Sequence, residues 1–203
     1  MNINQLKAEY IQGIYQSKAL LIKEQPFSLQ SGKRSHVYLN HRNFLSRSVY
    51  LSLVVNLYHE LLKSVDITQS ALGVVDSIMS PIIVGGMCAM FNYDYVVIKK
   101  TPLTHGTQEF IYGEIQKDII LIDDMTSTGE TLIDAAEKIR AKGGVVHYAI
   151  ISAYRENTAI KNLENENIKP ITIASFDEIL HQLSPSLTEK EKNILENNPL
   201  IFD

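Results

Sequence analysis

Two adjacent carboxylates, Asp123 and Asp124, lead into Met125, Thr126, Ser127, Thr128, Gly129, Glu130 and Thr131, and no other stretch of the chain is as well suited to chemistry. Hydroxyls gathered around one glycine just before a helix offer donors to a phosphate. The free N–H groups and positive dipole end of the helix start reinforce them. A carboxylate pair beside a phosphate would repel it. The two acids are therefore suited to accept hydrogen bonds from sugar hydroxyls, or to hold a divalent cation that carries further phosphates. A sugar phosphate satisfies both halves. The glycine–lysine spacing of a P-loop is absent, as are the three spaced glycines of a dinucleotide-binding turn. An ordinary capped strand-to-helix turn has the same outline.

Positioning these residues requires a strand before them and a helix after. Residues 119–122 are a continuous apolar run with three isoleucines, suited to a strand buried on both faces of a parallel sheet and ending at the two acids. From Glu130, the apolar residues Leu132, Ile133, Ala136 and Ile139 recur at helical spacing until Gly143 and Gly144 stop the helix. The same patterns predict an amphipathic helix over residues 3–18 and a hairpin-like unit over 19–46, with a turn at Ser31–Gly32. Further helices are predicted over 48–65, after Pro81, and within 156–170. Strands are predicted over 71–75, 95–98, 145–152 and 171–174, and Thr188 with Glu191 has capping-box spacing for a last, solvated helix. Alternating strands and helices over 48–182 imply a mostly parallel α/β sheet with a ligand crevice at the strands' carboxyl ends.

The chain has 203 residues, 45% of them hydrophobic, which suits one well-packed domain rather than two. A net charge of −4 with scattered Lys and Arg gives no basic footprint for nucleic acid or an anionic membrane. No apolar run is long enough to span a bilayer, and no basic-then-apolar leader opens the sequence. The single cysteine, Cys88, lies in an apolar stretch and reads as a buried core residue. These features predict a cytoplasmic location.

The stretch 118–131 resembles the 5-phosphoribosyl-1-pyrophosphate (PRPP) motif of type I phosphoribosyltransferases: an apolar strand, two acids and a Thr/Ser-Gly loop. Residues 27–42 resemble the N-terminal hood of orotate phosphoribosyltransferases, F-x-L-K-S-G-x-x-S-x-x-Y/F, with Phe27, Leu29, Ser31, Gly32, Ser35, Tyr38 and Asn40 in register. The family's lysine before Ser-Gly is Gln30 here. The family's catalytic loop, R-K-E-x-K-D-H/Y-G, aligns without a gap on residues 99–106, where Lys100, His105 and Gly106 match. Lys99 stands for the arginine, keeping its charge and losing its bidentate fork. Leu103 stands where the family has a lysine that reaches a neighbouring subunit's site. The 76–80 loop, which in the family contacts pyrophosphate and often carries a lysine, has no cation.

The resemblance implies a type I phosphoribosyltransferase fold: a mostly parallel central sheet flanked by helices (48–182), a small hood (19–46) and a C-terminal helical tail (185–203). It further implies Mg²⁺-assisted transfer of phosphoribosyl from PRPP to orotate in pyrimidine biosynthesis, with Mg²⁺ bound largely through PRPP, by a homodimer with shared sites. It assigns Asp123, Asp124, Lys100 and His105 to catalysis, and Lys99, Lys100 and residues 123–131 to PRPP. Tyr38 and Arg155 fall to the base, although a core aromatic and a surface strand-end arginine are the bland readings of those two residues. His105 reads equally as a solvated loop histidine. Loss of one preorganised donor costs on the order of 10²- to 10³-fold in rate. Depletion at Gln30, in the 76–80 loop and at Leu103 therefore predicts slow, altered or absent turnover even with an intact phosphate site. Transfer to a different base, or a regulatory protein that binds PRPP or a nucleotide, are the alternatives.

Overall fold

Side-chain alternation along the central strands decides what each face of the sheet buries. The computed structural model describes residues 2–29, 32–65, 70–101, 109–115 and 118–198. Strands β3 (Ser70–Val75), β4 (Tyr95–Ile98), β5 (Ile111–Tyr112), β6 (Asp118–Thr126), β7 (Val145–Tyr154) and β8 (Lys169–Ser175) form one sheet in the order β5-β4-β3-β6-β7-β8. All neighbours are parallel except β4 and β5. Leu72, Val74, Ile120 and Ile122 point to one face, against helices α1 (Ile3–Gln16), α3 (Ser48–Leu62) and α4 (Ser80–Phe91). Ala71, Val75, Ile119 and Leu121 point to the other, against α5 (Glu130–Ala141) and Leu163 of α6 (Asn157–Asn165). Being covered on both sides explains the continuous apolar run of β6.

The connection after β3 passes through α4 on one face, and the connection after β6 passes through α5 on the other. The strand order therefore reverses between β3 and β6, which opens a crevice at their carboxyl ends. The acids and the hydroxyl loop lie there. Strand β6 runs further than the sequence suggests: it pairs with β3 only to Ile122, but the longer β7 continues the ladder through Asp123↔Ile151, Met125↔Ala153 and Thr126↔Tyr154. The two acids are thus residues of the strand rather than of the loop after it.

A separate two-stranded antiparallel sheet, β1 (Leu20–Ser28) and β2 (Arg34–Leu39), forms the hood, and its register slips between Ile22 and Phe27, around Pro26. A proline removes a ladder donor, so a bulge is where a strand tolerates it. The short helix α2 (His41–Leu45) follows directly and drives His41, Phe44 and Leu45 into the main core. After β8 come α7 (Phe176–Leu183) and α8 (Glu189–Asn197), whose Thr188–Glu191 capping box is present. Cys88 is half-buried at the core's edge rather than fully inside it. Among the described residues, no helix is long and apolar enough to cross a membrane.

Candidate active site

Ser80, the first residue of α4, is fully buried and faces both acids. Its hydroxyl lies 2.8 Å from Asp123 Oδ1 and 3.0 Å from Asp124 Oδ1, so one proton is shared between two carboxylates. The Asp124 N–H donates to Ser80 Oγ at 3.2 Å and to Asp123 Oδ1 at 3.0 Å. Behind the pair, Tyr58 donates to the Asp123 carbonyl at 2.6 Å and meets Ser152 at 2.6 Å. His41 Nδ1 is 3.2 Å from Asp124 Oδ2, and His41 Nε2 is 3.0 Å from the Tyr10 hydroxyl. Burial, and then the Asp124 charge, push the Asp123 carboxyl up to about 7, while the Ser80 bond and the charge of Lys100 act the other way.

The hydroxyl loop follows immediately. Thr126 Oγ1 accepts from the Gly129 N–H at 3.0 Å, which closes a tight turn into α5. Gly129 has φ +82°, and a Cβ there would stand 3.1 Å from the Ala159 carbonyl, so both backbone and space require glycine. Asn162 of α6 donates to the Thr128 carbonyl at 2.9 Å, bracing the loop from behind. Residues 123–131 are therefore brought together as one cradle at the start of α5.

Lys99 and Lys100 directly follow β4, on the far side of β3. Lys99 is ion-paired with Asp76, so the 76–80 loop gains from β4 a cation that it lacks in its own sequence. Lys138 of α5 donates to the carbonyls of Lys99 (3.1 Å) and Lys100 (3.2 Å) and to Asp134 (2.7 Å), and so fastens this strand end. Leu103, His105, Gly106, Gln30 and Ser31 lie outside the described residues.

On the hood, Tyr38 is half-exposed and packs against Phe27 with ring centroids 5.4 Å apart. Arg155 is not a surface residue. It is 7% exposed, donates to Ser35 Oγ (3.2 Å) and the Val37 carbonyl (3.4 Å), and lies over the Phe176 ring. Burial pulls its pKa down, against the nearby charge of Glu156. Glu156 in turn pairs with Lys33 at 2.9 Å. Neighbouring residues of one strand end thus hold the hood strand that carries Tyr38.

Nothing in the sequence marks Tyr10, His41, Tyr58, Ser152 or Lys138 as residues of the site, and Ser80 enters there only as part of a cation-free loop. Each meets the site from a distant part of the chain, so no local spacing marks it. The nearest sequence signal is Ser80 before Pro81 at a helix start. Among the described residues no three acids, histidines or cysteines converge into a protein-only metal cage, and neither Asp123 nor Asp124 is paired with a Lys or Arg. Such a donor set fits a divalent ion that a phosphate-bearing ligand holds for the most part.

No protein-family profile matches the chain. It is 33% identical over 160 residues to the orotate phosphoribosyltransferase of Picrophilus torridus, covering 78% of this chain and 93% of that one. The orotate phosphoribosyltransferase of Sulfolobus acidocaldarius is 28% identical over 192 residues, 93% of this chain and 95% of its own. Among solved structures, orotate phosphoribosyltransferase from Aeropyrum pernix superposes with a TM-score of 0.73 at 20% identity, over 86% of this chain and 99% of that one. UMP synthase of Leishmania donovani reaches 0.77 at 22% identity, over 94% of this chain but 41% of its own length.

Proposed function

Because the chain belongs to the orotate phosphoribosyltransferase family and has the type I phosphoribosyltransferase fold, we propose that it transfers phosphoribosyl from PRPP to orotate, giving orotidine 5′-monophosphate and pyrophosphate. The observation that carries this reading is the cradle at the β6–α5 junction. Two carboxylates stand beside a hydroxyl loop at a helix start, at the point where the strand order reverses. That arrangement suits the ribose hydroxyls and the 5′-phosphate of one ligand.

In the reaction the bond from ribose C1 to pyrophosphate oxygen breaks as a bond to a ring nitrogen of orotate forms. Positive charge builds at C1 and negative charge on the leaving group. Asp123 and Asp124 hold the ribose hydroxyls, and the negative charge that the pair carries favours the electron-poor ring. Residues 126–131 hold the 5′-phosphate, Lys99 serves PRPP, and Lys100 and His105 are assigned to pyrophosphate. Mg²⁺ bound through PRPP would supply charge neutralisation on the pyrophosphate. Tyr38 and Arg155 serve the base. We place the chain in pyrimidine nucleotide biosynthesis in the cytoplasm, as a homodimer. The uncharged α4, which leaves Ile82 and Met90 exposed, favours the dimer.

Orotate consumption with PRPP and Mg²⁺, together with calorimetric PRPP binding, tests the proposal. Turnover that Asp124→Asn abolishes is expected. PRPP binding without orotate turnover would shift the reading to another base or a regulatory role, and absence of both would overturn it.

A further inference from the structure

We propose that His41 is a positioning residue of the phosphoribosyl site: held from behind by Tyr10, it fixes the Asp124 carboxylate in the orientation that receives the ribose. This rests on the reading above. Sequence position makes His41 a joint, since it follows β2 after one residue and opens α2. Burial makes it rigid. The ring is 2% exposed, stacks on Phe44 with planes 4° apart, and meets Tyr10 edge-on at 89°.

Both ring nitrogens are taken, and the partners decide which carries the proton. Tyr10 is fully buried, and burial first and the Asp124 charge second push its phenol far up, so it keeps its proton. A carboxylate oxygen only accepts, so Nδ1 beside Asp124 is the donor of a neutral ring, and Nε2, at 3.0 Å, accepts from the phenol. A neutral ring then carries its proton on Nδ1, which faces Asp124 Oδ2 at 3.2 Å. On the other oxygen, Asp124 Oδ1 meets the Ser80 hydroxyl at 3.0 Å. One donor on each oxygen fixes the rotation of the carboxylate and leaves further lone pairs for ligand hydroxyls. Because the next strand back is the hood, displacement of β2 would also displace the donor on Asp124. The carboxylate is thereby tied to the piece of the molecule that covers the base.

A histidine that only fills the core would make no such demand on its Nδ1. Asparagine at position 41 places an amide donor where Nδ1 stands, whereas leucine fills the space with no donor. His41→Leu takes one partner from the buried Tyr10 hydroxyl, so it is combined with Tyr10→Phe to keep the core satisfied. The expected result is a melting temperature near that of the parent with PRPP affinity weakened on the order of 10- to 100-fold, as for partners behind ligating groups. His41→Asn should restore most of that affinity. In an Asp124→Asn background the same double change should cost less than about 2-fold, because the pair acts through that carboxylate. An equal loss in both backgrounds, no loss in either, or failure of asparagine to rescue would overturn the proposal. Imidazole ¹⁵N spectra of the ligand-free protein give a readout independent of turnover: Nδ1 protonated is expected, and Nε2 protonated would overturn it. Parent protein that shows the expected tautomer yet neither binds PRPP nor consumes orotate would sink the functional reading instead.

Discussion

Ser80 gives one hydroxyl proton to two carboxylates, and its bond to Asp123 only partly offsets what burial and the neighbouring charge do to that carboxyl. Burial first and the Asp124 charge second raise the Asp123 carboxyl from 3.8 to about 7. Between those values the folded chain holds a proton that the unfolded chain releases. The contribution to stability is therefore greatest below about pH 4 and is lost as pH rises through 7. Asp123→Asn removes that titration. Its melting temperature minus that of the parent should grow from pH 4 to 7 and then level off, and the same variant should lose turnover. A difference that stayed flat across this range would show that Asp123 is ionised throughout. Ser80→Ala leaves the carboxylates facing each other without their shared donor. The expected cost is about 1–3 kcal/mol in chemical denaturation at neutral pH.

Among the elements, the β6–α5 junction depends on one backbone conformation. Gly129→Ala forces a side chain into left-handed geometry, costing about 1–2 kcal/mol, and pushes a methyl group toward the Ala159 carbonyl. Thermal melts should register that loss. Calorimetry should find PRPP affinity reduced further than stability alone accounts for, because the N–H groups of the cradle move with the turn. This junction was legible in the sequence, since strand, acids, hydroxyls, glycine and helix are contiguous and each carries its own local signal. The bounds of β4 and the capping box of α8 were legible for the same reason. The reach of β6 past its acids was not, because it depends on the length of β7, a separate segment of the chain. Nor was the bracing of the site: Ser80 meets the acids across 43 and 44 residues and His41 across 83, and such pairs leave no periodic trace. Lys138 belongs with them. Lys138→Met should leave α5 folded but release the carbonyls of Lys99 and Lys100, raising the KM for PRPP more than it lowers kcat. Equal effects on both constants would show that the clamp does not serve the substrate.

For the molecule as a whole, the surface of α4 does not match its position at the outside of a single chain. Its twelve residues, SPIIVGGMCAMF, contain no charge. Ile83, Val84 and Met87 face the core, yet Ile82 is 46% exposed, Met90 53%, and Ile78 just before the helix 58%. A helix apolar all round is normally covered, so the outer stripe suits a second copy of the chain. The same helix begins at Ser80, between the two acids, so covering it would also steady the shared hydroxyl. Sedimentation equilibrium should then find a dimer, and Ile82→Glu with Met90→Glu should shift it to monomer, since burying two carboxylates in an apolar contact is costly. The monomeric variant should keep its fold by circular dichroism and lose PRPP affinity, because Ser80 is freed to move. A variant that remains dimeric would assign the interface to another face, and one that dissociates with unchanged PRPP affinity would show that the helix start is held by the core alone.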